Sequence, residues 1–163
     1  MAYDFNAQEV FDMAIRIEEN GAAFYRKAAE FQDGPDKNFL ITLARMEDRH
    51  KERFEKMKNK VSDLEKSQTV FDPDEELVLY LRAMADGHGG EGDPEIAERF
   101  TGEETMEEII TTAIGLEKES ILFYLGIKDL VPPKLGREKI DQIIEEEKQH
   151  VAQLKGFLKK SRP

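Results

Sequence analysis

Two histidines follow glutamates at the same short spacing: His50 lies three residues after Glu47, and His150 three residues after Glu147. On a helix, side chains three apart share a face and stand about 5–6 Å from each other at Cβ, close enough to converge on one ion. The apolar residues around each pair say which face that is. Leu40, Leu43, Phe54 and Met57 continue the Glu47–His50 stripe, and Ile140, Ile143, Leu154 and Phe157 continue the Glu147–His150 stripe, so each pair points inward. Glu18 stands at the edge of the stripe Val10, Ala14, Ile17, Gly21, Phe24, Ala28, and Glu117 repeats it among Ile110, Ala113, Ile121 and Tyr124. Burying an unpaired carboxylate costs several kcal/mol, so four of them at one level of a core demand compensation. Two divalent cations supply it, because their charge cancels that of four carboxylates while two neutral imidazoles add nitrogen donors.

Composition narrows the chemistry further. No cysteine occurs, which excludes thiolate zinc, iron–sulfur and rubredoxin-type centres in this polypeptide and leaves nitrogen and oxygen as the only donors. Such a donor set accepts iron, manganese, zinc or cobalt according to supply. The net charge of −11 argues against nucleic acid and anionic membranes as partners. No apolar run approaches the roughly 20 residues of a membrane span, and the first residues lack the basic and apolar regions of a signal peptide, so a cytoplasmic location is expected.

Long amphipathic helices must position these groups. Charged residues make up 36% of the chain and hydrophobic ones 39%, a mixture suited to helices with solvated outer faces, and 163 residues suit one domain spanning 1–163. The first helix is predicted to begin after Asn6, with Glu9 as a capping-box partner, and to run to about Phe31, where Gly34-Pro35 ends the stretch. The second runs from about Asp36 to about Lys66, its stripe extended by Val61 and Leu64. In the long connection that follows, Asp72-Pro73 opens a short helix through Met84, and the glycine-rich segment 86–94 is loop. Thr105 with Glu108 offers a capping box for a helix to about Leu130, and residues 131–136 turn the chain into a last helix ending near Lys160. The expected architecture is all-α, two helical hairpins joined by a crossover containing a short helix.

The two hairpins also repeat. Ala14-Ile15-Arg16-Ile17-Glu18 aligns without gaps on Ala113-Ile114-Gly115-Leu116-Glu117, Phe24-Tyr25 aligns on Phe123-Tyr124, and Met46 through His50 aligns on Glu146 through His150. An internal duplication is the simplest account. Taken singly, an edge glutamate can snorkel and a Glu-x-x-His pair can lie on a surface. Two inward pairs, each on the second helix of a hairpin whose first helix supplies an inward Glu, form the dimetal pattern of helical bundles.

With these residues the sequence resembles the rubrerythrin and ferritin-like di-iron carboxylate family along nearly the whole chain. The resemblance implies a ferritin-like four-helix bundle holding two iron ions, with manganese or zinc as substitutes. In it Glu47 and Glu147 would bridge the metals, Glu18 and Glu117 would be terminal ligands on opposite metals, and His50 and His150 would complete one metal each. It also makes Tyr25 and Tyr124, which follow their glutamates by seven residues, the candidate catalytic side chains, donating to ligand carboxylates; core packing is the other role open to them. Two departures from the family stand out. Rubrerythrins carry a further glutamate where this chain has Ser120, and Glu119 lies on the wrong face to replace it, so a symmetric six-ligand site is expected. Rubrerythrins also append a rubredoxin domain, absent here with its cysteines, so electrons would come from a separate donor protein.

The activity so implied is reaction with O2 or hydrogen peroxide, by an oxidoreductase of peroxidase or ferroxidase type in oxidative-stress defence, working as a homodimer. Two ferrous ions about 3.5–4 Å apart deliver two electrons together, which avoids releasing one-electron oxygen radicals. The alternative is a protein that binds, stores or delivers iron, zinc or manganese without turnover. A storage ferritin needs a closed shell of subunits, and no residue pattern here identifies such surfaces. His88, in the glycine-rich loop, is expected to be exposed, with control of access to the bundle mouth as its other role. Glu145, Glu146, Glu19, Glu103, Glu104, Glu107 and Glu108 read as solvated charge.

Overall fold

A computed structural model of the chain describes residues 7–62, 74, 76–85, 95–129, 131 and 133–160. Among the described residues the helices are α1 (Ala7–Glu30), α2 (Gly34–Lys58), the short α3 (Glu76–Ala85), α4 (Met106–Lys128) and α5 (Arg137–Lys160), with 3-10 turns at Ile96–Arg99 and Pro133–Leu135. Helix α1 packs along α2 and α4 along α5, giving the two expected hairpins.

The direction of each long helix follows from which residues share a core. One apolar cluster gathers Val10, Ile17, Phe54, Phe123, Ile127 and Ile140. A second gathers Phe24, Leu40, Leu43, Ile109, Leu116 and Leu154. Helices α1 and α5 therefore run from the first cluster to the second, and α2 and α4 run back, an up-down-down-up order. The connection between α2 and α4 must then return along the bundle, a length of about 37 Å for helices of 25 residues. It is anchored at both ends, for Leu81 of α3 packs into the first cluster and Ile96 of the 3-10 turn into the second.

Local chemistry sets most of the boundaries. The Thr105 side chain accepts from the Glu108 N–H at 3.2 Å while the Glu108 carboxylate accepts from the Thr105 N–H at 2.7 Å, the reciprocal capping box expected there. The Asn6 cap lies outside the described residues, as do Leu64, Asp72, Pro73 and the 86–94 segment with His88. Gly34, at φ +57°, turns the chain and itself opens α2, with Pro35 in the first turn, so this helix starts slightly earlier than predicted. It also stops at Lys58 instead of about Lys66. Val61 lies beyond the helix yet is only 6% exposed, so an apolar residue that packs from a turn had read as one more step of the stripe. Gly136, at φ +104°, makes the turn into α5, where an added Cβ would come within 3.3 Å of the Met57 side chain. No helix among the described residues is long and apolar enough to cross a membrane.

Candidate metal centre

A polar layer separates the two apolar clusters. Glu18 on α1, Glu47 and His50 on α2, Glu117 on α4, and Glu147 and His150 on α5 are all at most 1% exposed. The structure brings together every one of the six residues picked out by their phase. Glu18, expected at the edge of its stripe, is fully enclosed because Phe11, Ala22 and Tyr25 beside it are buried too.

The atoms form two overlapping groups. Nδ1 of His50 lies 2.8 Å from Oε1 of Glu147, 3.5 Å from Oε2 of Glu18 and 3.6 Å from Oε2 of Glu47. Nδ1 of His150 lies 2.8 Å from Oε2 of Glu147, 3.3 Å from Oε1 of Glu47 and 3.5 Å from Oε1 of Glu117. Glu47 and Glu147 thus present one oxygen to each imidazole. Within each group, Glu18–Glu47–His50–Glu147 and Glu47–Glu117–Glu147–His150, one potential ligand atom per residue lies within 4.8 Å of all the others. The imidazole rings stack with centroids 5.6 Å apart.

These atoms are not satisfied by one another. Among the described residues, both oxygens of Glu47 and of Glu147, Oε2 of Glu18 and of Glu117, and Nδ1 of both histidines have no hydrogen-bond partner, so even the 2.8 Å contacts are charge contacts. Orphaned buried polar atoms are rare and costly. Carboxylate oxygens and imidazole nitrogens converging at this density form a donor set that fits two divalent cations. The other oxygen of each outer glutamate is engaged: the Tyr25 hydroxyl donates to Oε1 of Glu117, and the Tyr124 hydroxyl to Oε1 of Glu18. Each tyrosine serves the opposite hairpin, which the sequence repeat does not reveal.

Comparison with protein-family profiles and with curated proteins gives no match. Among solved structures, a protein from Thermotoga maritima described as ferritin-like and diiron-carboxylate matches with a TM-score of 0.73 and 26% identity, over 99% of this chain and 100% of that one. The chain has the ferritin-like fold.

One neighbour of this ferritin-like core differs from what the sequence predicts. Glu146, read as solvated, is 32% exposed at its side chain, takes a 2.8 Å hydrogen bond from Nε2 of His50, and accepts from Arg53 at 2.6 Å. It sits one step off the inward face of α5, where α2 passes close enough to be reached. An acid at the flank of an inward Glu, facing a helix that carries His and Arg three apart, is the only hint the sequence offers. Glu145 is exposed and pairs with Lys148, as expected. Ser120 is buried with its hydroxyl donating to the Leu116 carbonyl at 3.2 Å, and Glu119 stays outside the cluster.

Without a cation, protons must balance this layer. Burial pushes the Glu18 carboxyl well above the ordinary range, with the Glu147 charge adding to it; burial does the same to Glu117, with Glu47 and Glu147 adding. Burial alone would favour neutral imidazoles, but the surrounding carboxylates overcome it. They hold His50 far above its usual value, chiefly through Glu18 and Glu147, and push His150 up to about 12, chiefly through Glu117 and Glu147. Glu147 is held well below the carboxylate range, because its close contacts with the two imidazoles outweigh its burial.

Proposed function

We propose that this ferritin-like bundle is a di-iron carboxylate protein that reacts with O2 or hydrogen peroxide in oxidative-stress defence, drawing electrons from a separate donor protein. The observation that carries the reading is the sharing of Glu47 and Glu147, each with both oxygens unbonded and one turned to each imidazole. Glu18 and His50 would hold one iron, Glu117 and His150 the other, and Glu47 and Glu147 would bridge them. The description of the Thermotoga maritima protein as diiron-carboxylate favours iron over zinc or manganese. Two bound iron ions supply a pair of electrons in one event, which reduces O2 or peroxide without one-electron by-products.

The chain's own residues support this reading of the substrate. All six ligand side chains are enclosed between apolar clusters, so a site this dry suits molecules as small as O2 or hydrogen peroxide and excludes bulky organic substrates. Tyr25 and Tyr124 hold a proton at Oε1 of Glu117 and of Glu18, fixing the outer carboxylates and offering a proton within the layer. Bridging carboxylates are suited to shift between one-metal and two-metal modes, whereas the histidines remain terminal.

Rapid mixing of the protein, loaded anaerobically with two ferrous ions per chain, with O2 and separately with hydrogen peroxide tests the reading. Oxidation well ahead of free ferrous iron is expected with at least one oxidant, and Glu147→Ala should abolish it by removing a bridge. Iron oxidised no faster than in solution would reject the enzyme and leave a carrier or store.

A further inference from the structure

The two halves of the polar layer are not equivalent outside the six ligands. On one side, Nε2 of His50 is held by Glu146, which Arg53 in turn clamps. The register that lays His50 on His150 places Met46 opposite Glu146 and Gln153 opposite Arg53, so the duplicated half carries neither the acid nor its clamp. Nε2 of His150 is correspondingly buried with no hydrogen-bond acceptor among the described residues.

This difference acts on metal binding through the tautomer. Both histidines turn Nδ1 toward the carboxylates, so a metal-bound imidazole must be neutral and carry its proton on Nε2. In His50 that N–H donates to a carboxylate, which fixes the ring and raises the basicity of Nδ1. In His150 the same N–H would be buried without an acceptor among the described residues, a cost that metal binding there must bear.

We propose that the Glu18–His50 position is the high-affinity metal position and the Glu117–His150 position the weaker, exchangeable one, with Glu146 as the positioning residue that separates them. The inference rests on the two-metal reading above. Carboxylates behind ligating histidines typically contribute about 10–100-fold in metal affinity, which sets the expected gap.

Stepwise titration of the metal-free full chain with Co(II), followed by calorimetry and by visible absorption, tests it without reference to catalysis. The wild type should bind two ions in two steps separated by about 10–100-fold. Glu146→Ala should weaken the first step toward the second and leave the second nearly unmoved, while Glu146→Gln, which keeps an acceptor without the charge, falls between. Met46→Glu combined with Gln153→Arg rebuilds the missing arm and should tighten the second step; this variant decides the matter if Glu146→Ala does not fold. A Glu146→Ala protein whose second step weakens while its first is unchanged would show that the positions began equal, and one in which neither step moves would show Glu146 idle; either overturns the proposal. Failure of the wild type to take up a second ion would instead strike the two-metal reading itself.

Discussion

The tyrosine hydroxyls cross between hairpins, Tyr25 to Glu117 and Tyr124 to Glu18, and that crossing separates a hydrogen-bonding role from packing. Were packing their only work, phenylalanine would replace either ring at no cost. Because the glutamate oxygens they serve are buried, Tyr25→Phe and Tyr124→Phe should each destabilise the metal-free protein by about 1–3 kcal/mol, measured from urea midpoints. The related positions of the two tyrosines lead to similar losses, and an unchanged midpoint in both would return them to a packing role. All six central residues could be read from the sequence, because helical phase reports which side chains face inward, and Glu47, His50, Glu147 and His150 sit squarely on apolar stripes. Phase says nothing about which neighbour a side chain meets. The tyrosine partners and the His50–Glu146 bond were hidden for that reason, since both join residues more than 90 positions apart.

Helix ends follow the same division between local and distant causes. The cap at Thr105 involves residues within one turn and was plain in advance. The end of α2 at Lys58 was not, because Val61 is buried by contacts from elsewhere in the fold. The 3-10 turn at Ile96–Arg99 is too short to leave a period in the sequence. Topology, by contrast, was readable from connection length alone, since an up-down-down-up bundle needs a link that spans its height. Helix α4 begins at the end of that link, so its cap fixes where the second hairpin starts. Thr105→Ala should cost about 1 kcal/mol in urea unfolding. It should leave metal stoichiometry untouched, because Thr105 is exposed and caps α4 far along the chain from Glu117. A loss of bound metal in this variant would mean that the start of α4 controls the position of Glu117, contrary to the packing described above.

Charge balance in the polar layer governs how the protein as a unit responds to acid, base and metal. Glu18 and Glu117 have folded-state values above the ordinary 4.5, and His50 and His150 above the ordinary 6.5, with His150 reaching about 12. A group raised by folding keeps a proton that the unfolded chain has already released, so stability falls as pH climbs from the unfolded value toward the folded one. Glu147 and Glu146 are shifted the other way; their contribution is complete above 4.5 and disappears only as pH drops through their lowered values. The metal-free protein should therefore be most stable near about pH 5 and weaken steadily toward about pH 9. Divalent ions held by this layer should reverse the trend, because each ion would displace protons from these groups and bind more tightly as pH rises, adding stability by mass action. Urea midpoints between about pH 5.5 and pH 8.5 should fall in the presence of a chelator and hold or rise with saturating Co(II). A chelated protein that grows more stable across that interval would show that the buried imidazoles and outer carboxyls do not hold protons, and the exchange of protons for cations could not be what makes this core tolerable.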